Sequence, residues 1–129
     1  MAEWVVLELS PQGEDEDPEV LRKAVGKAVK SLKDIFVPAS TITQGHSKSV
    51  YKLIVNYIFV RRTQPDQVYF KLEGSKYIAS ILTILDKRIR KISPISDKSI
   101  DQMRQQLHIE TEQGIEVGDK VLVMSGAYS

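Results

Sequence analysis

Between Val50 and Arg62 the chain reads VYKLIVNYIFVRR, and this segment most constrains the fold. Its density of Val, Ile, Tyr and Phe predicts a β-strand. Side chains alternate between faces along a strand. Leu53, Val55, Tyr57 and Phe59 therefore share one face; Ile54, Ile58 and Val60 share the other, with Asn56 among them. Both faces are apolar. Such a strand is either central in a sheet covered on both sides or presents its second face to a partner.

The flanking sequence supplies partners for it. Glu3–Leu9 (EWVVLEL) predicts a first strand, and Ser10–Asp17 (SPQGEDED) a polar loop. Pro18–Leu32 predicts a helix. Asp17 is a suitable N-cap, and Pro18 suits the first helical position. Val20, Leu21, Ala24, Val25, Ala28, Val29 and Leu32 recur at helical spacing, with Lys23, Lys27 and Lys30 on the opposite side. Asp34–Gln44 predicts a second strand, made an edge or a kink by Pro38. It is expected to pair antiparallel with Val50–Arg62 across a turn at Gly45–Ser49. A short helix over Asp66–Leu72, stopping near Gly74, precedes a strand over Tyr77–Leu85. That strand runs into Asp86–Lys91 (DKRIRK), a basic hairpin turn or strand extension. Ser96–Leu107 predicts a last helix, capped by Ser96 and stapled by Ile95 and Ile100. His108–Gly114 reads as a polar linker, and Ile115–Ser129 as the start of a new β segment. The order β, α, β, β, α, β, α implies an α+β fold, an antiparallel sheet flanked by helices.

With 129 residues, 42% apolar and 27% charged, the chain fits a soluble globular domain with a core of its own. No apolar run approaches the roughly 20 residues of a membrane span, and the N-terminus lacks the pattern of a signal peptide. The absence of cysteine excludes disulfides and thiolate metal sites and suits the cytoplasm. Charge is segregated. Residues 1–19 hold seven acids and no base, residues 20–107 seventeen bases and six acids, and residues 108–129 four acids and one base. A basic body suggests a polyanionic partner; a solvated surface balanced by acidic ends accounts for it equally well. The two histidines, His46 in a Gly-His-Ser turn and His108 after a helix, form no catalytic constellation. The run Glu14–Asp17 lacks metal-ligand spacing. No catalytic residue, metal or cofactor is therefore expected.

Several stretches resemble the NusG family of transcription elongation factors. Glu3-Trp4-Val5-Val6 is similar to the family's first strand, and Asp34-Ile35-Phe36-Val37-Pro38 to its second. Leu53-Ile54-Val55-Asn56-Tyr57-Ile58-Phe59-Val60 resembles its most recognisable segment, with Val55 and Asn56 replacing the usual Pro-Gly. Pro94-Ile95-Ser96-Asp97-Lys98 resembles the start of the last helix of the NGN domain. Val117-Gly118-Asp119-Lys120-Val121-Leu122-Val123 resembles the opening of a KOW domain. The resemblance implies an NGN-like polymerase-binding domain over 1–107, a linker over 108–114 and an incomplete KOW segment over 115–129.

It also implies a mechanism without catalysis. An apolar pocket takes the clamp helices of the largest RNA polymerase subunit, and the domain bridges towards the second-largest subunit. This favours processive, pause-resistant transcription or antitermination. By resemblance, Ile54, Tyr57 and Phe59 contribute to the pocket. Lys23, Lys27, Lys30, Arg61, Arg62, Lys87, Arg88, Arg90 and Lys91 are candidates to face upstream or non-template DNA. Ribosomal protein or Rho would be partners of a complete KOW domain. The alternative is a single-stranded RNA-binding module of RNA-recognition-motif-like architecture, stacking bases on Tyr57 and Phe59.

Overall fold

The computed structural model describes residues 2–116. Two compact units divide the chain: one runs to Val37 and resumes over Val55–Ile100, and the other comprises Pro38–Ile54 and the chain from Asp101 onward.

The first unit is built on a five-stranded antiparallel sheet. Its strands are β1 (Glu3–Leu9), β2 (Ile35–Phe36), β5 (Tyr57–Arg61), β6 (Ile78–Ile81) and β9 (Ile95–Ser96). The order is β2-β5-β1-β6, with β9 also on β1. β1 is central because Trp4-Val5-Val6-Leu7 suits a position covered on both faces; these residues are 0–4% exposed. It pairs with β5 from Trp4↔Arg61 to Glu8↔Tyr57.

That register sorts the side chains. One face carries Val5, Leu7, Ile58 and Val60, all fully buried. Helix α2 (Pro18–Val29) contacts β2 and also α3 (Asp66–Phe70), which in turn contacts β6. Leu21, Val25 and Val29 of α2 and Tyr69 of α3 supply the buried helical side chains. The Tyr69 hydroxyl accepts from the Thr63 and Gln64 amides and donates to the Arg61 carbonyl, so its buried polar atom is satisfied. The opposite face carries Trp4, Val6, Phe36 and Phe59, and these too are only 2–7% exposed. Of the two readings of this strand, the covered one holds at Phe59: Phe36 and Phe59 pair across β2 and β5 with rings stacked at 6.1 Å.

α2 starts as expected, with Asp17 accepting from the Glu19 amide and Pro18 at its first turn. It ends at Val29 rather than Leu32, because Lys30 adopts a left-handed conformation (φ 59°). The expected loop Ser10–Asp17 contains a short helix α1 (Pro11–Glu14), capped by Ser10. The predicted strand Tyr77–Leu85 breaks at Leu82 into β6 and β7 (Thr83–Asp86). β7 forms a two-stranded hairpin with β8 (Ile89–Ile92).

In the second unit, β3 (Ala39–Gln44) and β4 (Ser47–Lys52) form an antiparallel hairpin around Gly45-His46. Each long predicted strand is thus broken in two: Asp34–Gln44 into β2 and β3, and Val50–Arg62 into β4 and β5. Proline is the cause on the first strand. Pro38 has no N–H for a ladder, and its carbonyl accepts from both Leu53 and Ile54 in the bend between β4 and β5. α4 (Asp97–Glu116) begins as expected, with the Ser96 hydroxyl accepting from the Ser99 amide. It continues across 108–114, where a polar linker was expected, and includes Ile115 and Glu116. The expected KOW motif Val117–Val123 lies outside the described residues.

Candidate functional site

Tyr57 opens β5 opposite Glu8. Glu8 lies opposite Ser80 on the other side of β1, and the Ser80 hydroxyl donates to its carboxylate at 2.8 Å. Cross-strand partners point to one face, so Tyr57, Glu8 and Ser80 form a row. They line a cleft of about 240 Å³ with Ile81, Leu82 and Thr83. Tyr57 is half-buried, with one surface in the cleft. Two residues along the same face, Phe59 is 4% exposed and stacked on Phe36. Of the three expected pocket residues, Tyr57 lines a cleft and Phe59 belongs to the core. Ile54 is half-buried in the second unit, its amide on the Pro38 carbonyl at 3.4 Å.

The nine candidate cations divide by their partners. Arg62 forks onto Asp66 at 2.9 and 3.0 Å and reaches Glu3 at 3.0 Å. The Asp66 hydrogen bonds, reinforced by Glu3, raise its already high pKa. Arg90 meets Glu73 at 2.6 and 3.0 Å and lies over the Phe70 ring at 5.2 Å. The Arg90 hydrogen bond holds the Glu73 carboxyl below its ordinary value, with the Ile81 amide assisting and burial opposing. Lys91 pairs with Asp86 at 2.8 Å. These three cations already have acids beside them. Lys23 and Lys27 on α2 and Lys30 just after it are exposed and border a shallow groove of about 680 Å³ floored by Val20, Ala24, Gly26 and Leu32. Lys87 and Arg88 occupy the two-residue turn between β7 and β8, and Arg61 is exposed at the end of β5. Among the described residues no acid pairs with any of these six.

Two features of this surface escaped the sequence reading. The Glu8–Ser80 pair depends on the β1–β6 register, which no local pattern encodes. The β7–β8 hairpin was partly readable, since Ile84, Leu85 and Ile89 flank a two-residue turn; their exposures of 55%, 74% and 60% were not. Among the described residues no group of three His, Cys, Asp or Glu side chains gathers as a metal site. No described helix is long and apolar enough to cross a membrane.

The comparison with curated proteins gives no match. A family model does: residues 2–104 match the one described as Transcription termination factor nusG.

Proposed function

The chain belongs to the NusG family of transcription factors, and from that premise we propose that it docks on the clamp helices of the largest RNA polymerase subunit through the Tyr57 cleft. Members of the family generally bind RNA polymerase. The observation that carries the finer reading is the contrast along one strand. Phe59 is sealed in the core, whereas Tyr57 is half-buried at the wall of a cleft. An aromatic ring with one free surface, fixed by a rigid strand, is the kind of group that dominates a docking interface. Phe59 then acts by holding β5 in place. Docking there, with a bridge towards the second-largest subunit, stabilises a closed and processive polymerase by differential binding.

Arg61, Lys87 and Arg88 are the cations we assign to upstream or non-template DNA. Their charge is not committed to a neighbouring acid, unlike that of Arg62, Arg90 and Lys91. Lys23, Lys27 and Lys30 add positive potential from α2. The second reading, base stacking on Tyr57 and Phe59, requires exposed rings; Phe59 is 4% exposed and Tyr57 is half-buried. A pull-down of core RNA polymerase with the wild-type chain and with Tyr57→Ala tests the docking reading. Retention by the wild type and loss by the variant are expected; equal retention refutes the role of Tyr57.

A further inference from the structure

We propose that the groove beside α2 is a docking site for an acidic amphipathic helix of a partner protein. Its apolar side chains enter the groove while its carboxylates meet Lys23, Lys27 and Lys30. The groove shares no residue with the Tyr57 cleft, and the proposal does not depend on what that cleft binds.

Three observations carry it. The first is the apolar lining. Ala24 and Gly26 give the floor little relief, so another backbone can approach α2 closely. A Cβ on Gly26 would collide with the Leu32 side chain, so Leu32 leans against the helix there. Leu32 is nevertheless 53% exposed, and Val20 39%. The wall thus rests on α2 on one side and meets solvent on the other. A contiguous apolar surface of this kind, rimmed by charge, marks an interaction site.

The second is the backbone at Lys30, which has φ 59° and ψ 33°. A left-handed residue at a helix end is usually Gly or Asn, and a side chain with a Cβ occupies it at a cost. In a continued helix Leu32 would follow the buried Val29 on the inward face. The turn at Lys30 instead leaves Leu32 in the groove, with Lys30 beside it. A cation therefore stands at the rim where backbone geometry favours glycine, and strain of this kind points to function.

The third is charge. Lys23, Lys27 and Lys30 follow one another at four- and three-residue spacing, over roughly 10 Å of helix length. All three are exposed, and among the described residues no acid pairs with them. No acid lines the groove. A positive rim on an apolar floor calls for a ligand that is both acidic and apolar. A phosphate backbone carries the charge and has nothing apolar to place on the floor. A small organic acid would leave most of its apolar surface in water in so shallow a groove. A helix with Leu at i, i+3, i+4 and i+7 and Glu beside that stripe satisfies both requirements along the length of the lysine row.

The test uses the full chain and a fluorescein-labelled synthetic peptide of about 14 residues, roughly 21 Å as a helix, made of Glu, Ala and Leu with Leu in that stripe. The same peptide with Ser for Leu, the same peptide with Lys for Glu, and an oligothymidylate serve as comparisons. By fluorescence anisotropy the wild type is expected to bind the acidic peptide at least about tenfold more tightly than either altered peptide. K23E/K27E should weaken that binding about tenfold and take the Lys peptide instead. L32S should weaken it about fivefold or more. K30G installs the residue the turn favours, so it should melt no lower than wild type and still bind more weakly, which separates binding from folding. K71E/K98E reverses two exposed lysines outside the groove and should bind as the wild type does. Absence of binding, equal affinity for the Ser peptide, or an equal loss in K71E/K98E overturns the proposal. Oligothymidylate that displaces the peptide with the same sensitivity to L32S would assign the groove to nucleic acid. A dimer in sedimentation that L32S abolishes would assign it to a second copy of the chain. Either result also overturns the proposal.

Discussion

The Trp4 indole Nε1 donates to the Asp97 carboxylate at 2.8 Å, joining residues 93 positions apart. The bond ties the central strand to the first turn of α4, beside the β1–β9 pairing of Trp4 with Ile95. Trp4 is 2% exposed, and the bond is part-buried. Trp4→Phe should cost about 2 kcal/mol, the net worth of a hydrogen bond to a charged group. Asp97→Asn keeps an acceptor oxygen and loses only charge at a helix start, which should cost less than about 1 kcal/mol. Urea denaturation of the two variants checks the ranking; equal losses would show that the carboxylate charge, and not the hydrogen bond alone, carries the contribution.

Tyr57 and Phe59 should separate binding from folding. Phe59→Ala removes a buried, stacked ring and should cost roughly 3–5 kcal/mol of stability. Tyr57→Ala truncates a half-buried side chain at the cleft and should cost only about 1 kcal/mol, while weakening polymerase binding ~30-fold or more. A melting series together with a polymerase titration reads both. A Tyr57→Ala protein that melts as low as Phe59→Ala yet binds normally would remove Tyr57 from the interface.

Glu73 should set part of the acid sensitivity. Its carboxyl is held below the ordinary 4.5, first by the Arg90 hydrogen bond. A carboxylate with a depressed folded-state pKa stabilises the protein fully above its unfolded pKa. That contribution is lost as pH falls through the folded value. The wild type should therefore lose stability steadily as pH falls below about 4.5. Glu73→Gln should start less stable near neutrality and fall less steeply in that window. Urea midpoints collected from about pH 7 to about pH 3 give the comparison; parallel curves would rule out a coupling through Glu73.

Gly13 is confined by backbone. A Cβ there would collide with the Tyr77 carbonyl oxygen and crowd the Leu9 side chain. The carbonyl cannot step aside freely, because it accepts from the Ser10 amide at 2.9 Å. Gly13→Ala should cost roughly 1–3 kcal/mol, as overpacking does. Little change in thermal melting would mean that α1 can lift off β1 without penalty.

The elements that declared themselves in the sequence were those with local causes. Asp17-Pro18 and Ser96 mark helix starts through their own capping chemistry, and both caps form. Glu3–Leu9 forms the strand that its composition predicts, with Trp4-Val5-Val6-Leu7 buried on both faces. The failures share a different cause, since they depend on partners distant in sequence. Val50–Arg62 has the composition of one strand, yet the amides of Leu53 and Ile54 turn to the Pro38 carbonyl and the ladder stops. Phe59 shares a face with Tyr57 as expected, but its stacking on Phe36 fixes it in the core. The basic residues were all visible. Which of them are already paired was not, because Arg90 finds Glu73 and Arg62 finds Glu3 only after folding.

Pro38 gives the chain a natural seam. Its carbonyl accepts from Leu53 at 2.9 Å and from Ile54 at 3.4 Å, so the excursion through β3 and β4 is closed where it leaves and returns. Everything between those points is an insert whose length the core does not measure. Lengthening a closed loop is thermodynamically inexpensive, about 0.6 kcal/mol per doubling. Descendants of this sequence can therefore remodel the hairpin, or exchange it for another, without renegotiating the sheet that carries Tyr57. The hairpin's own reach and partner preference are free to diverge while the docking strand stays fixed.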